Sequence, residues 1–125
     1  CCVYAANPIF EIKKNIIGFK KIFSKKYYSV FTSFKINKKY TRSFLYSKKH
    51  KINFLNKNFL QSRTQDLPEL YIDAGQWYWV KVNSFLKRKK IISNNSFAII
   101  LDKKKNIDLD TLSDLKKLKK TFNIR

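Results

Sequence analysis

The sequence predicts an α/β fold, in which strands and helices alternate along the chain. Two kinds of segment favour it: short segments rich in aromatic and β-branched residues, and longer segments with apolar residues at helical spacings. A third observation is the apolar content of 44% in 125 residues, which is enough to form a globular core. Strands separated by helices are typical of a sheet with helices packed against it. We therefore expect residues 1–125 to lie in a single domain.

The first part of the chain predicts a strand, a helix and a second strand. Residues 1–5 are apolar and strand-like, and the strand ends at Asn7 because Pro8 restricts the residue before it. Residues 12–23 carry Ile and Phe mainly at helical spacings, with lysines between them, which predicts a helix. Residues 27–34 are aromatic and β-branched and predict the second strand.

The rest of the chain predicts four strands, of which residues 74–80 are a central one, and two helices. The predicted strands are residues 40–46, 51–55, 74–80 and 96–101, and residues 82–88 form a short helix. The first two of these strands are joined by a Lys-rich turn that contains His50, the single histidine, which we expect to be exposed.

The last helix has the clearest start. Thr111 is a typical N-cap, and Asp114 three residues later completes an approximate capping box. The predicted apolar stripe of this helix consists of Leu112, Leu115, Leu118 and Phe122.

The chain is strongly basic, with 28 Lys and Arg, 8 Asp and Glu, and a net charge of +20. Such a charge favours binding to nucleic acid or to an anionic membrane surface. The lysines, however, occur as pairs throughout the chain, which indicates a compositional bias. Residues 87–90 are the one run of four basic residues, and we interpret this run too as a solvated face. A basic nucleic-acid-binding domain that stacks bases on Tyr and Trp stays open as an alternative.

Neither a signal peptide nor a membrane span is visible in the sequence. The longest strongly apolar run, residues 97–101, is much shorter than the roughly 20 residues that a membrane helix needs. We therefore expect a cytoplasmic protein with no membrane partner. Cys1 and Cys2 are adjacent, a spacing that suits neither an ordinary disulfide nor a metal site, and we predict that both are buried thiols of the first strand.

The few acidic residues are concentrated in two segments. Seven of the eight fall within residues 66–73 and 102–114. In the second segment, Asp108 and Asp110 are separated by one residue, so in an extended chain their side chains point to the same side. Paired carboxylates just before a helix are typical oxygen ligands for Mg²⁺, and they are also typical of residues that stabilise a helix N-terminus. From the residues alone, both interpretations stay open.

Four segments together resemble the acylneuraminate cytidylyltransferase family, nearest to its pseudaminic acid members. They are Cys-Cys-Val-Tyr-Ala-Ala-Asn-Pro (residues 1–8), Arg-Thr-Gln-Asp-Leu (residues 63–67), Ile-Asp-Ala-Gly-Gln-Trp-Tyr-Trp-Val (residues 72–80) and Asp-Leu-Asp-Thr (residues 108–111). They occur in the same order as in the family, so the resemblance extends from Cys1 to about Lys120.

The resemblance implies a Rossmann-like nucleotide-diphospho-sugar transferase fold. It further implies that residues 1–125 are the C-terminal part of the domain, because the family's N-terminal phosphate-binding segment is missing from the sequence. The family joins CTP to a nine-carbon sugar acid of the pseudaminic or sialic acid type, giving a CMP-sugar and pyrophosphate for surface glycans. The expected partners are these two substrates, Mg²⁺ and a second copy in a homodimer, with no specific nucleic acid. A degenerate, non-catalytic remnant of the family is a further alternative.

The resemblance also implies roles for individual residues. Arg63 is expected to bind the sugar carboxylate through its two-pronged guanidinium, and Gln65, Gln76 and Tyr78 are expected to contact the substrate. Trp77 and Trp79 share one face of the strand, and Tyr78 takes the other face.

At the nucleotide end, the resemblance implies that Asp108 and Asp110 hold Mg²⁺ against the CTP phosphates. The catalytic residues stay unknown, because the family's main phosphate-binding loop is not among residues 1–125.

Overall fold

The computed structural model describes residues 1–103, 107 and 109–123. Within these residues the chain forms strands and α-helices in the order β1 (Cys2–Val3), α1 (Ile12–Ile22), β2 (Ser29–Ile36), β3 (Phe44–Tyr46), β4 (Ile52–Phe54), β5 (Leu70–Val80), α2 (Val82–Arg88), β6 (Ser96–Leu101) and α3 (Leu112–Phe122). Short 3-10 helices occupy Lys38–Arg42 and Thr64–Asp66. The predicted α/β class is confirmed, whereas the Rossmann-like assignment stays a prediction.

The chain divides into two compact units. The first unit contains Cys1–Phe34 and Asp73–Arg125, and the second contains Lys35–Ile72. In the second unit, β3 and β4 pair antiparallel, with Phe44 opposite Phe54.

A four-stranded mixed sheet has the order β1-β5-β2-β6. β1 pairs antiparallel with β5, with Cys2 opposite Tyr78, whereas β2 pairs parallel with β6, with Ser29 opposite Ser96. β5 is therefore an interior strand, with β1 on one side and β2 on the other.

Helix α1 packs closely against β5. A Cβ atom added at Gly18 would lie 2.6 Å from the Trp77 ring, so only glycine allows this approach. Trp77 is fully buried in the core of the first unit, and Trp79 packs against that core. The other buried members of the core are Ile22, Val30, Ala74, Ile99 and Leu101.

Helix α3 begins as predicted but is less buried than predicted. The Thr111 hydroxyl accepts a hydrogen bond from the Asp114 backbone N–H at 3.3 Å, and the Asp114 carboxylate accepts one from the Thr111 N–H at 3.1 Å, which confirms the capping box. Of the predicted apolar stripe, however, only Leu118 is buried, and Leu112 is 79% exposed.

Two further predictions are wrong in detail. Cys1 and Cys2 are exposed rather than buried, because β1 has only two residues and lies at the edge of the sheet beside β5. The predicted strand at residues 40–46 begins instead as part of the 3-10 helix Lys38–Arg42, where the Asn37 side chain caps the helix by accepting from the Lys39 N–H at 2.9 Å.

Helix α2 and strand β6 have the predicted ends, and the other predicted elements are present with shifted ends. β5 begins at Leu70, earlier than predicted, and β2 extends to Ile36. His50 is exposed, as predicted. Among the described residues, no helix combines the length and the apolar character that crossing a membrane requires.

Candidate substrate site

Gly75 changes the alternation of side chains in β5. Its φ of 63° lies in the left-handed region, inside a strand that is otherwise extended. Residues five positions apart in a regular strand point to opposite faces. The Tyr78 hydroxyl nevertheless donates a hydrogen bond to Asp73 Oδ2 at 2.6 Å, so Asp73 and Tyr78 share a face. A left-handed glycine shifts the alternation in the same way as in a β-bulge, and this shift also brings Ala74 into the core with Trp77.

The Asp73 carboxylate holds both ends of this distortion. Its Oδ1 accepts a hydrogen bond from the Gly75 backbone N–H at 3.0 Å, and its Oδ2 accepts from Tyr78. Tyr78 is only 5% exposed, and its ring packs against the Tyr4 ring with 5.5 Å between centroids. Burial and the hydrogen bond to Asp73 both raise the pKa of Tyr78 well above its ordinary value. The phenol, which is protonated at neutral pH even with an ordinary pKa, therefore stays protonated at alkaline pH as well.

Gln76 and Tyr78 lie on the same face of β5, since they are two residues apart beyond the distortion at Gly75. Gln76 is 2% exposed. Its carbonyl accepts from the Tyr4 N–H at 2.9 Å, and its own N–H donates to the Thr32 hydroxyl at 3.4 Å. The backbone of Gln76 thus connects β5 to its neighbours on both sides. The structure agrees with the predicted alternation, in which the two tryptophans share one face of the strand and Tyr78 takes the other. The tryptophans face the core.

The segment before α3 lies beside the loop that follows β1. The Leu109 N–H donates to the Ala6 carbonyl at 2.9 Å, and the neighbouring Asn7 is buried. The same loop is tied to β5 through Tyr4. Residues of three of the four segments that carry the family resemblance, Ala6, Gln76 and Leu109, are therefore connected within the first unit.

Asp110 is exposed and directly precedes the N-cap of α3. Because the capping box consists of Thr111 and Asp114, it does not use the Asp110 carboxylate. Asp108, its predicted partner, lies outside the described residues. Within the described residues, no three or more His, Cys, Asp and Glu side chains form a group that could hold a metal ion. The Mg²⁺ site at Asp108 and Asp110 stays a prediction.

Arg63 and Gln65 belong to the second unit, Lys35–Ile72. The Arg63 side chain is exposed, and its carbonyl accepts from the Asp66 N–H at 3.1 Å at the start of the 3-10 helix Thr64–Asp66. Gln65 is also exposed, and its carbonyl accepts from Lys38 Nζ at 2.9 Å. That these two residues share a pocket with Gln76 and Tyr78 stays a prediction.

A cavity of about 530 Å³ lies elsewhere in the first unit. It is lined by Arg88, Lys90, Ile92, Ser93, Asn94 and Asn95, none of which is a predicted site residue. Of its two cations, Arg88 lies in the last turn of α2, where positive charge is favourable. We therefore base the candidate site on the face of β5 that carries Tyr78.

Asp73 is the site residue that the sequence interpretation missed. Its signal was present, because a glycine two positions later in a strand marks a place where the alternation can change. Regular alternation, by contrast, would put residues 73 and 78 on opposite faces of a strand.

No protein-family model matches the chain. Individual proteins do. The chain is 25% identical over 126 residues to the pseudaminic acid cytidylyltransferase of Campylobacter jejuni serotype O:23/36, a match that covers 99% of the chain and 53% of that protein. The protein of the same name from Campylobacter jejuni serotype O:2 has the same identity and coverage. A Helicobacter pylori protein named pseudaminic acid cytidylyltransferase and UDP-2,4-diacetamido-2,4,6-trideoxy-beta-L-altropyranose hydrolase is 32% identical over 102 residues, 81% of the chain and 19% of that protein.

The mixed α/β fold and these matches confirm the resemblance predicted from the motifs: the chain is a relative of the cytidylyltransferases, a class of transferases. More narrowly, it is homologous to proteins named pseudaminic acid cytidylyltransferase. The chain spans about half the length of these two Campylobacter relatives.

Proposed function

We propose that the protein transfers the cytidylyl group of CTP to a nine-carbon sugar acid of the pseudaminic acid type. The observation that supports this most is the similarity of 99% of the chain to pseudaminic acid cytidylyltransferases. In this reaction the anomeric hydroxyl of the sugar attacks the α-phosphorus of CTP and loses its proton. The bond from that phosphorus to the bridging oxygen breaks, so the products are a CMP-sugar and pyrophosphate. A homodimer in the cytoplasm is part of the same proposal.

The proposal assigns Asp110, together with Asp108, to Mg²⁺. The chemistry fits, because Mg²⁺ prefers carboxylate oxygens and Asp110 is exposed and not used in the capping box. The ion would supply positive charge against the triphosphate. The hydrogen bond from Leu109 to Ala6 holds the backbone of this segment beside the loop after β1.

The proposal assigns the sugar acid to Tyr78, Gln76, Arg63 and Gln65. Tyr78 and Gln76 lie on one face of β5. Arg63 is exposed and offers the guanidinium that a carboxylate prefers.

The test is turnover by the protein expressed from its complete coding sequence. With CTP, pseudaminic acid and Mg²⁺, we expect release of pyrophosphate and a CMP-sugar that mass spectrometry identifies. No product with any nine-carbon sugar acid would contradict the proposal and favour the non-catalytic remnant.

Two aspartates at the start of α3 form a matched pair for the metal assignment. Asp110→Asn removes a carboxylate that the capping box does not use, so we expect most turnover to be lost and the Mg²⁺ requirement to rise, with little change in stability. Asp114→Asn changes the capping box, so we expect lower stability and an unchanged Mg²⁺ requirement. The reverse pattern would show that Asp110 is structural.

Two arginines of the second unit form the matched pair for the sugar carboxylate. Arg63→Lys should raise the KM for the sugar acid much more than the KM for CTP, because lysine cannot make two parallel hydrogen bonds. Arg42 donates from its Nη2 to the Thr64 hydroxyl at 2.9 Å, so Arg42→Lys tests the effect of a nearby structural arginine. Equal effects of Arg63→Lys on both substrates would contradict the assignment.

A further inference from the structure

The contact between Asp73 and Tyr78 has a fixed direction. Asp73 accepts the Gly75 N–H on one carboxylate oxygen and the Tyr78 hydroxyl on the other. Rotation of the carboxylate would break both hydrogen bonds. The side chain is therefore held by the same distortion that brings it to the face of Tyr78.

This contact decides what Tyr78 can offer to a ligand. A phenol has one proton to donate and oxygen lone pairs that accept, whereas an ionised carboxylate only accepts. In the structure the phenol proton is given to Asp73 Oδ2. A phenol is protonated at neutral pH, and burial first and this hydrogen bond next raise the pKa of Tyr78 further above neutrality. Its oxygen remains an acceptor.

We infer that Asp73 is a positioning residue that makes the Tyr78 hydroxyl a hydrogen-bond acceptor, so that this part of the site binds a neutral donor group of the sugar. The donor is a hydroxyl or an amide N–H. Asp73 is exposed and negatively charged, so the same place disfavours the sugar carboxylate. The inference rests on the proposed function, because it takes the ligand to be a sugar acid.

The hydrogen bond itself is tested without any ligand. The ¹³Cζ resonance of Tyr78, assigned by its loss in Tyr78→Phe, is followed against pH in the wild-type protein and in Asp73→Asn. Replacing the carboxylate removes the charged acceptor, so we expect Tyr78 to titrate at lower pH in Asp73→Asn. An unchanged titration of Tyr78 would overturn the inference.

The role in recognition is tested by steady-state kinetics on single and double variants. The loss of one hydrogen bond corresponds to about a tenfold change, so we expect Asp73→Asn and Tyr78→Phe each to raise the sugar KM about tenfold and to leave the KM for CTP unchanged. Because Asp73 acts through Tyr78, the double variant should be no worse than Tyr78→Phe. Additive effects, or equal effects on both substrates, would overturn the inference.

Modified sugars separate the two kinds of donor. Analogues in which single hydroxyls are replaced by hydrogen test the hydroxyls, and analogues with a methylated amide nitrogen test the N–H groups. One analogue should bind the wild-type protein about tenfold more weakly than the unmodified sugar does. In Tyr78→Phe, that analogue and the unmodified sugar should bind with equal affinity. If every modification of the sugar lowers the affinity as much in Tyr78→Phe as in the wild-type protein, donor recognition by Tyr78 is excluded.

Failure of the proposed function gives a different result. A wild-type protein that neither turns over nor binds the sugar acid in calorimetry would contradict the proposed function and donor recognition together. The positioning of Tyr78 by Asp73 would still be decided by the ¹³C titration.

Discussion

Gly75→Ala should destabilise the protein through backbone strain alone. The φ of 63° is open to glycine, but an L-residue with a Cβ pays about 1–2 kcal/mol to adopt it. A Cβ added at Gly75 would have no atom within 4 Å, so collision with a neighbour contributes nothing. Urea denaturation should show the loss as a decrease of roughly 0.5–1 M in the midpoint with an unchanged slope.

Substitutions graded by their tolerance of positive φ make this test specific. Asparagine adopts left-handed conformations more readily than alanine, and valine does so less readily because it is β-branched. From the most to the least stable protein, the expected order of residues at position 75 is therefore Gly, Asn, Ala and Val. The same order should appear in affinity for the sugar acid, because relaxation of Gly75 to an extended conformation would turn Asp73 away from Tyr78. Alanine as stable as glycine, or valine no worse than alanine, would refute the reasoning.

Three further outcomes are expected. Gly18→Ala should lower the free energy of unfolding in urea by about 1–3 kcal/mol, because the added Cβ would lie 2.6 Å from the Trp77 ring. Alanine alone favours helices, so a stabilised variant would contradict the close packing. The pKa of Asp114 is held below its ordinary value of 3.8 by its hydrogen bonds to Thr111 and Lys117, so its contribution to stability is present above that pH and is lost as the pH falls through the lowered value. Thr111→Ala should move the Asp114 carboxyl resonance to titrate at higher pH, and an unchanged titration would argue against the capping box. Binding to duplex DNA, driven by the net charge of +20, should be weak and should fall steeply with salt; tight, sequence-selective binding at physiological salt would favour the nucleic-acid alternative.

Sequence patterns predicted most of the helices and strands correctly, because these elements depend mainly on residues that are close together in the sequence. Thr111 and Asp114 are three residues apart, and the geometry of a helix start needs no more than these two side chains. The alternation that separates Trp77 from Tyr78 is likewise a property of any strand. Both predictions agree with the structure.

Predictions that depended on distant parts of the chain were less successful. Cys1 and Cys2 have the composition of a buried strand, but their exposure depends on β1 being a two-residue edge strand. The contact of Asp73 with Tyr78 depends on the conformation of Gly75, and a sequence shows that a glycine is present but not which φ it adopts. That Arg63 and Tyr78 contact the same substrate stays a prediction, because the two residues belong to different compact units.

The hydrogen bond between Leu109 and Ala6 has a consequence for the order of folding. It joins two backbone groups that are far apart in the sequence, and closing a loop of that size carries an entropic cost that local contacts avoid. The capping box of α3 and the turns of α1 can form from neighbouring residues, whereas this contact requires β5 and the segment before α3 to have been synthesised. On a ribosome, the segment that carries Asp110 therefore reaches the loop after β1 only after β5 has been synthesised, and a nascent chain stopped before Leu109 contains Tyr78 but not this contact.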